Sequence, residues 1–311
     1  MCQSCDTLTA DATRDRTDPT GTRGIVRRFD ADIGRRFRTL KSLIREAIVK
    51  NDVLGMRPNP TATMFQAMFA PRQITRDDAP PAGAFRFQTS SGKVDAFMAW
   101  LRLMQDEHIF EITTGAALGQ SAEQAWTSTY IRAAYEKGVA DAIGRIRDAG
   151  GRASDDWIRS AFFRPIHADR AGLIFTRTYS DLRGITDEMD KQISRVLSEG
   201  IIRGRGPVAI ARDLVDRVDR IGVTRARVMS RTEVISAHAE ASLNSYEEAG
   251  IEGVNLVAEW LLGSTPCPLC TDAAAKSPYK ISETHGLIPL HPNCVCAWGV
   301  EVLDPEKIDL G

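Results

Sequence analysis

The sequence has no apolar run long enough to cross a bilayer, and its formal net charge is only -1. Because a membrane-spanning helix needs about 20 apolar residues, we expect no membrane partner. The small net charge says little about other partners, since it conceals a basic stretch near the N-terminus that acidic residues elsewhere balance. The 311 residues, 43% of them hydrophobic, can build the core of one large domain or two modest ones. We detect no internal repeat.

Cysteine and histidine are also scarce, at six and five residues. Nothing at the N-terminus resembles a secretory signal, so we expect a reducing compartment, in which disulfides are rare. Against this background, a cluster of five potential metal ligands in the last fifth of the chain would be unusual by chance. These residues are Cys267, Cys270, His291, Cys294 and Cys296.

The spacing of these ligands is typical of a tetrahedral zinc site. A Cys-x2-Cys pair and a His-x2-Cys pair each span a short distance, and a loop of about twenty residues separates them. Prolines flank both pairs and predict that the ligands lie on turns rather than inside a helix. We predict a structural Zn²⁺ with the ligands Cys267, Cys270, His291 and Cys294. Cys296 is the alternative fourth ligand, because Cys294 and Cys296 would point to the same face of a strand. The mixed ligand set favours zinc over iron.

Other interpretations of the cysteines explain less. Buried thiols pack as small hydrophobes, but this does not explain why His291 falls in register with the cysteines. Cys2 and Cys5 form another Cys-x2-Cys pair with no partner pair nearby. Since the residues around them are polar and rich in turn formers, we favour a frayed tail there over a second metal site.

Apolar residues that recur every three or four positions predict long helices over most of the chain. Thr224 is the predicted N-cap of the last long helix. Alternating residues around Trp260 and over 295–302 predict two strands that flank the metal loop. The predicted fold class is α+β, predominantly α-helical, with a small C-terminal zinc-stabilised β element. The predicted segments are a disordered tail (1–22), a basic amphipathic helix with a Pro-rich loop (23–92), a helical core (93–250), a β/zinc-binding module (251–304) and a tail (305–311).

A group of arginines lies on the polar face of the first predicted helix, opposite its apolar stripe. These residues are Arg27, Arg28, Arg35, Arg36 and Arg38. They would contact DNA phosphates or an acidic protein surface, or they form a solvated face. A dedicated nucleic-acid-binding protein is less well supported, because no aromatic residues interleave with the arginines.

A longer pattern combines these features. The order Arg225-x-Arg227-x3-Arg231-Thr232-Glu233, then Trp260, then Cys267-x2-Cys270 and His291-Pro-Asn-Cys-x-Cys, resembles the head morphogenesis proteins of tailed phages. These are the minor capsid, or minor head, proteins of the phage Mu F-like family. The resemblance covers roughly residues 93–302 and is strongest from Leu182 onward.

The resemblance implies a non-enzymatic role. Such proteins join the procapsid in few copies, associate with the portal protein and make heads competent for DNA packaging and delivery. Scaffold, major capsid protein and packaged DNA are further candidate partners. The protein would be assembled in the bacterial host cytoplasm and lie in the virion, inside the capsid near the portal. The family often has an acidic residue shortly before the first cysteine, and residues 263–266 supply none here.

Arg231, Glu233 and Trp260 are the motif residues that the resemblance marks. Arg231 and Glu233 are two positions apart and so do not face each other along a helix. Each needs a partner elsewhere. We favour buried pairing over a portal contact.

A zinc-dependent nucleobase deaminase is the alternative function. His238-Ala239-Glu240 with Pro266-Cys267-x2-Cys270 matches the His-x-Glu and Pro-Cys-x-x-Cys signature of those enzymes. His238, Cys267 and Cys270 would bind zinc, and Glu240 would transfer protons. However, the triplet falls in the middle of a predicted helix, and this interpretation leaves the second half of the ligand cluster unexplained.

Overall fold

Long helices occupy most of the described residues, as the spacing of the apolar side chains predicts. The computed structural model describes residues 18–57, 80–87, 89–112, 122–149, 152–153, 164–251, 256–263, 266–303 and 309–310. Its α-helices are α1 (Arg23–Arg45), α2 (Ser90–His108), α3 (Trp126–Asp148), α4 (Pro165–Ile202), α5 (Pro207–Arg217), α6 (Thr224–Ile251) and α7 (Pro268–Ala274). None of the helices in these ranges has the length and hydropathy to cross a membrane.

Shorter helical turns join or extend these helices. Residues Ala122–Gln124 and Ile281–Glu283 form 3₁₀ turns, and π-helical turns follow α1 at Glu46–Lys50 and α5 at Val218–Val223. Thr224 therefore has helical backbone angles, and its hydroxyl donates to the carbonyl oxygen of Asp219. The predicted N-cap at Thr224 is wrong, because the π-helical turn continues the helix through this position.

The first residues of the described chain are ordered, although we predicted a tail up to residue 22. The Asp18 carboxylate accepts hydrogen bonds from the N–H groups of Thr20 and Arg23, over 3.1 and 2.8 Å. Thr20 and Thr22 are buried. Asp18 thereby satisfies the N–H group of Arg23, the first residue of α1, which has no partner within the helix. The remainder of the predicted tail, including Cys2 and Cys5, lies outside the described residues, as does most of the Pro-rich loop, at 58–79.

Two small sheets contain the strands. The first pairs β1 (Arg152–Ala153) with β5 (Asp309–Leu310) in parallel, so these two C-terminal residues are not the tail we predicted. The second has the order β3-β2-β4 and is antiparallel. Its strands are β2 (Leu256–Leu261), β3 (Tyr279–Lys280) and β4 (Ala297–Val302). The predicted strands correspond to β2 and β4, which confirms a mainly helical chain with a small C-terminal sheet.

The described chain forms two compact units. The first unit comprises Met1–Asp30, Ala122–Tyr179 and Val228–Gly311, and the second comprises Ala31–Ser121 and Ser180–Arg227. In the first unit, α3 and α6 approach closely, because a Cβ at Gly138 would lie 2.4 Å from the carbonyl oxygen of His238. In the second unit, buried aromatic rings pack together, with Phe97 and Trp100 centroids 5.3 Å apart.

The C-terminal sheet and the ligand cysteines share one hydrophobic core with α3 and α6. Leu243 and Tyr246 of α6 pack in the same cluster as Trp260 and Trp298 of the sheet. The compact units thus divide the chain differently from the predicted segments, which separate residues 93–250 from 251–304. Helical residues therefore help to bury the apolar face of the small sheet.

Candidate metal centre

Cys267 and Cys270 lie at the start of the short helix α7. Cys267 is the extended residue directly before the helix (φ −81°, ψ 164°), and Pro268 occupies the first helical turn. Proline is favoured there because its missing N–H would have no helical partner. Cys270 lies inside α7 and is buried. The prediction that all ligands lie on turns is therefore wrong for Cys270, since this proline begins a helix instead of excluding one.

His291 and Cys294 come from a tight turn before β4. The N–H of Cys294 donates to the carbonyl oxygen of His291 over 3.1 Å. Asn293 has a left-handed conformation (φ 61°), which asparagine adopts more readily than most residues. Cys296 follows, immediately before β4 begins at Ala297. The turn therefore directs the second half of the cluster toward α7.

The ligand atoms form two groups that share the sulfur of Cys270. Cys267 Sγ, Cys270 Sγ and His291 Nε2 all lie within 4.8 Å of one another, and so do the sulfurs of Cys270, Cys294 and Cys296. None of these four cysteines is in a disulfide. His291 Nε2 is 3.2 Å from Cys267 Sγ and 3.1 Å from Cys270 Sγ. The two groups could hold a metal ion.

One separation can be compared directly with tetrahedral zinc. Zn–S bonds of about 2.3 Å in a tetrahedron place two sulfurs about 3.8 Å apart. The sulfurs of Cys270 and Cys294 are 3.9 Å apart. The cysteine pair that connects the two halves of the cluster is therefore already at the distance that zinc requires.

The orientation of His291 is fixed by its own backbone turn. Its Nδ1 lies 2.8 Å from the carbonyl oxygen of Pro292, and because a carbonyl only accepts hydrogen bonds, Nδ1 must carry the proton. In the neutral ring Nε2 then has a free lone pair, and it faces the sulfurs of Cys267 and Cys270. Metal-binding histidines are commonly held in this way by a second hydrogen bond.

The crowded thiols shift one another's pKa values. Hydrogen bonds with Cys294 and Cys296, together with burial, raise the pKa of Cys270. Hydrogen bonds from Cys270 and Cys294 lower the pKa of Cys296 to about 3, and the Trp260 indole and the Gly263 backbone N–H act in the same direction. The indole nitrogen of Trp260 is buried and has no hydrogen-bond partner among the described residues. Cys296 is therefore the most acidic of the three thiols, and the thiolate is the form of cysteine that binds a metal.

Arg231 of α6 reaches directly into the His-Pro-Asn-Cys turn. Its Nη1 donates to Asn293 Oδ1 over 2.9 Å. Because Asn293 lies between two ligand positions and has the left-handed backbone conformation, this bond holds the turn against the helix. Arg231 is one of the residues that the sequence pattern marks.

Glu233, two residues further along α6, faces a different helix. Its Oε2 accepts hydrogen bonds from Arg177 of α4, with Nε at 3.0 Å and Nη2 at 2.8 Å. Glu233 is buried, and Arg177 also donates to the hydroxyl of Ser236 over 2.7 Å. A charge-assisted, two-pronged contact of this kind is stronger than a neutral hydrogen bond. Both motif residues on α6 therefore have partners inside the first unit.

Trp260 belongs to an aromatic cluster that shares one hydrophobic core with Cys270, Cys294 and Cys296. It is paired across the sheet with Trp298, with ring centroids 5.1 Å apart and an edge-to-face angle of 78°. Tyr279 contacts both rings, at 6.3 and 5.9 Å. Edge-to-face contacts add to the stabilisation that burial alone provides.

The structure does not bring His238 and Glu240 to the cysteines. Buried His238 places Nε2 2.9 Å from Asp141 Oδ2 on α3, and neither His238 nor Glu240 belongs to a potential ligand group among the described residues. Glu240 Oε2 is instead 2.7 Å from His285 Nδ1, and Glu247 Oε1 is 3.0 Å from His285 Nε2. Sequence reasoning missed His285. The signal was present only as two glutamates seven residues apart, which share a helix face.

The N-terminal arginines fall into two classes. Arg27, Arg28, Arg35 and Arg38 are exposed, so their contact with DNA or a portal stays a prediction. Arg36 is only 8% exposed, and its Nη2 lies 2.7 Å from Glu111 Oε1 within the second unit. A buried and paired guanidinium cannot reach a partner, so the prediction for Arg36 is wrong.

No protein-family model, no curated protein and no solved structure matches this chain.

Proposed function

We propose that the centre binds a structural Zn²⁺ through Cys267, Cys270, His291 and Cys294. Two halves of the site, from α7 and from the turn before β4, would be joined by the ion. The supporting observations are the fixed tautomer of His291 and the 3.9 Å separation of the Cys270 and Cys294 sulfurs. Four protein ligands would leave no open position for water, as is usual in structural zinc sites.

We further propose that the protein is a non-enzymatic minor head protein of a tailed phage, which associates with the portal during procapsid assembly and supports DNA packaging or delivery. The observation that carries this proposal is the hydrogen bond between Arg231 and Asn293. This bond connects the Arg231-Thr232-Glu233 motif on α6 with the turn that carries His291 and Cys294, although the two elements are far apart in sequence. Their order in the chain is the feature that resembles the phage Mu F-like family.

The deaminase alternative receives no comparable support. The zinc of a deaminase would need an imidazole from His238, but its Nε2 forms a hydrogen bond with Asp141. Glu240, which would transfer protons, forms hydrogen bonds with His285 and with the N–H of Gly286. We therefore favour the structural role.

Co-expression with the portal protein of the same phage tests the assignment. A tagged portal should retain the wild-type protein through affinity purification and size-exclusion chromatography at moderate salt. Procapsids assembled in host cells without the protein should package less DNA. If the portal retains no protein, and procapsids without it package DNA normally, the minor head assignment is wrong.

A further inference from the structure

A groove in the second unit has no role in the proposed metal centre. It lies between α5 and the end of α1 with its π-helical turn, has a volume of about 490 Å³ and is open to solvent. π-Helical turns cost helical hydrogen-bond geometry and often occur at functional sites. All of the described lining residues belong to the second unit.

Three of the described lining residues of the groove are apolar. They are Val49, Val208 and Ala211. Val208 is 65% exposed on the first turn of α5, although it is a large hydrophobic side chain. Covering such a side chain with another apolar group would remove hydrocarbon surface from water, which favours binding.

Three other described lining residues are basic, namely Arg45, Lys50 and Arg212, and one, Glu46, is acidic. Glu46 is already engaged with Lys50 over 2.6 Å. The side chains of Lys50 and Arg212 are 74% and 76% exposed, and Arg45 has no ion-pair partner among the described residues. Arg212 also lies 3.6 Å from Asp213, yet the described lining carries more positive than negative charge beside its apolar residues.

We propose that this groove binds an acidic, amphipathic helical segment of a partner protein. Apolar residues spaced three or four apart on that segment would cover Val208 and Val49, and its carboxylates would pair with Arg45 and Arg212. Nucleic acid fits less well, because none of the described lining residues is an aromatic residue that could stack on a base. The proposal rests on the groove alone and does not depend on the phage assignment.

A peptide-display selection identifies what the groove accepts. The full-length protein is the bait for a library of random 16-residue peptides, and the double variant Arg45→Glu/Arg212→Glu is used for counter-selection. We expect enriched sequences to contain several Asp or Glu residues and apolar residues at helical spacing. Enrichment of sequences without acidic residues, or enrichment that the double variant does not remove, would overturn the proposal.

Binding of one enriched peptide, labelled with a fluorophore, is then measured by fluorescence anisotropy. We expect the double charge reversal to weaken binding about tenfold or more, and Val208→Asp about fivefold or more, because charge pairing and apolar contact both contribute. Arg195→Glu is the matched control, since Arg195 is an exposed cation of the same unit outside the groove, and it should change binding less than about twofold. Circular dichroism verifies that each variant is folded.

A 20-residue oligothymidylate tests the competing occupant. It should not displace the peptide at moderate salt, and its own weak binding should be equally sensitive to Arg195→Glu and to the groove variants. Displacement of the peptide, with oligonucleotide affinity lost only in the groove variants, would show a nucleic-acid site and refute the peptide proposal. Equal peptide affinity in the wild type and all variants would refute it as well.

Discussion

Single side chains, rather than long elements, determine the geometry of the candidate metal centre. The carbonyl oxygen of Pro292 fixes the proton of His291 on Nδ1 and leaves Nε2 facing two sulfurs. Arg231 fixes the turn that carries His291 and Cys294 through its hydrogen bond to Asn293. Residue spacing predicted which cysteine and histidine side chains would lie together. It could not predict the hydrogen bonds to the Pro292 carbonyl and to Asn293, because these bonds depend on the folded arrangement.

The choice between Cys294 and Cys296 as fourth ligand can be tested with Co²⁺ in place of zinc. We expect Cys294→Ser to reduce the thiolate-to-cobalt charge-transfer absorption, because Cys294 lies 3.9 Å from Cys270, close to the distance for two ligands of one tetrahedral ion. Cys296→Ser should leave the absorption spectrum nearly unchanged. The opposite pattern would make Cys296 the ligand.

The role of Arg231 predicts a local effect. Arg231→Met removes a charged donor to Asn293 and should cost about 1 kcal/mol of local stability, so zinc should be released several-fold faster to a colorimetric chelator. Arg225→Met is the control, because Arg225 is exposed on the same helix. Equal release rates in both variants and the wild type would show that the hydrogen bond does not hold the turn.

At the scale of elements, α6 organises the first unit. It carries Arg231 toward the metal turn, Glu233 toward α4, and Glu240 and Glu247 toward His285 in the loop before the second ligand pair. The pattern of apolar residues predicted this helix but not its polar contacts. Local sequence rules also failed at two helix starts. The π-helical turn carries the helix through Thr224, and Pro268 starts a helix that contains Cys270.

The contact between His285 and α6 predicts a pH dependence. Hydrogen bonds with Glu240, and more weakly with Glu247, raise the pKa of His285 above its ordinary value. A raised folded-state pKa means that the stabilisation is fully present below the unfolded-state pKa of about 6.5 and is lost as the pH rises through the folded-state pKa. Urea unfolding of the wild type and His285→Ala, from pH 5.5 to 9, should therefore show their difference in stability shrinking toward high pH.

Glu283→Ala is the control for that comparison, because Glu283 is an exposed acid of the same loop and contacts Lys280 instead. The free energy of unfolding of Glu283→Ala should differ little from that of the wild type at every pH. A stability difference for His285→Ala that stays constant, or grows as the pH rises, would contradict the proposed ion pairs.

At the scale of the whole molecule, sequence patterns predicted the fold class because helix and strand periodicity depends on which face is buried. They could not predict how the core is shared. The sheet looked too small to be stable without zinc, yet Trp260 and Trp298 pack with Leu243 and Tyr246 of α6. Likewise, Arg36 resembled its exposed neighbours in sequence, but in the folded chain it is buried and paired with Glu111. Such long-range contacts are absent from local patterns.

The most direct test of the central claim is the metal content of the purified full-length protein, measured by inductively coupled plasma mass spectrometry. The account predicts about one zinc per chain in the wild type and in His238→Ala, and little or none in His291→Ala. Wild-type protein without a bound transition metal, or zinc retained in His291→Ala and lost in His238→Ala, would contradict it.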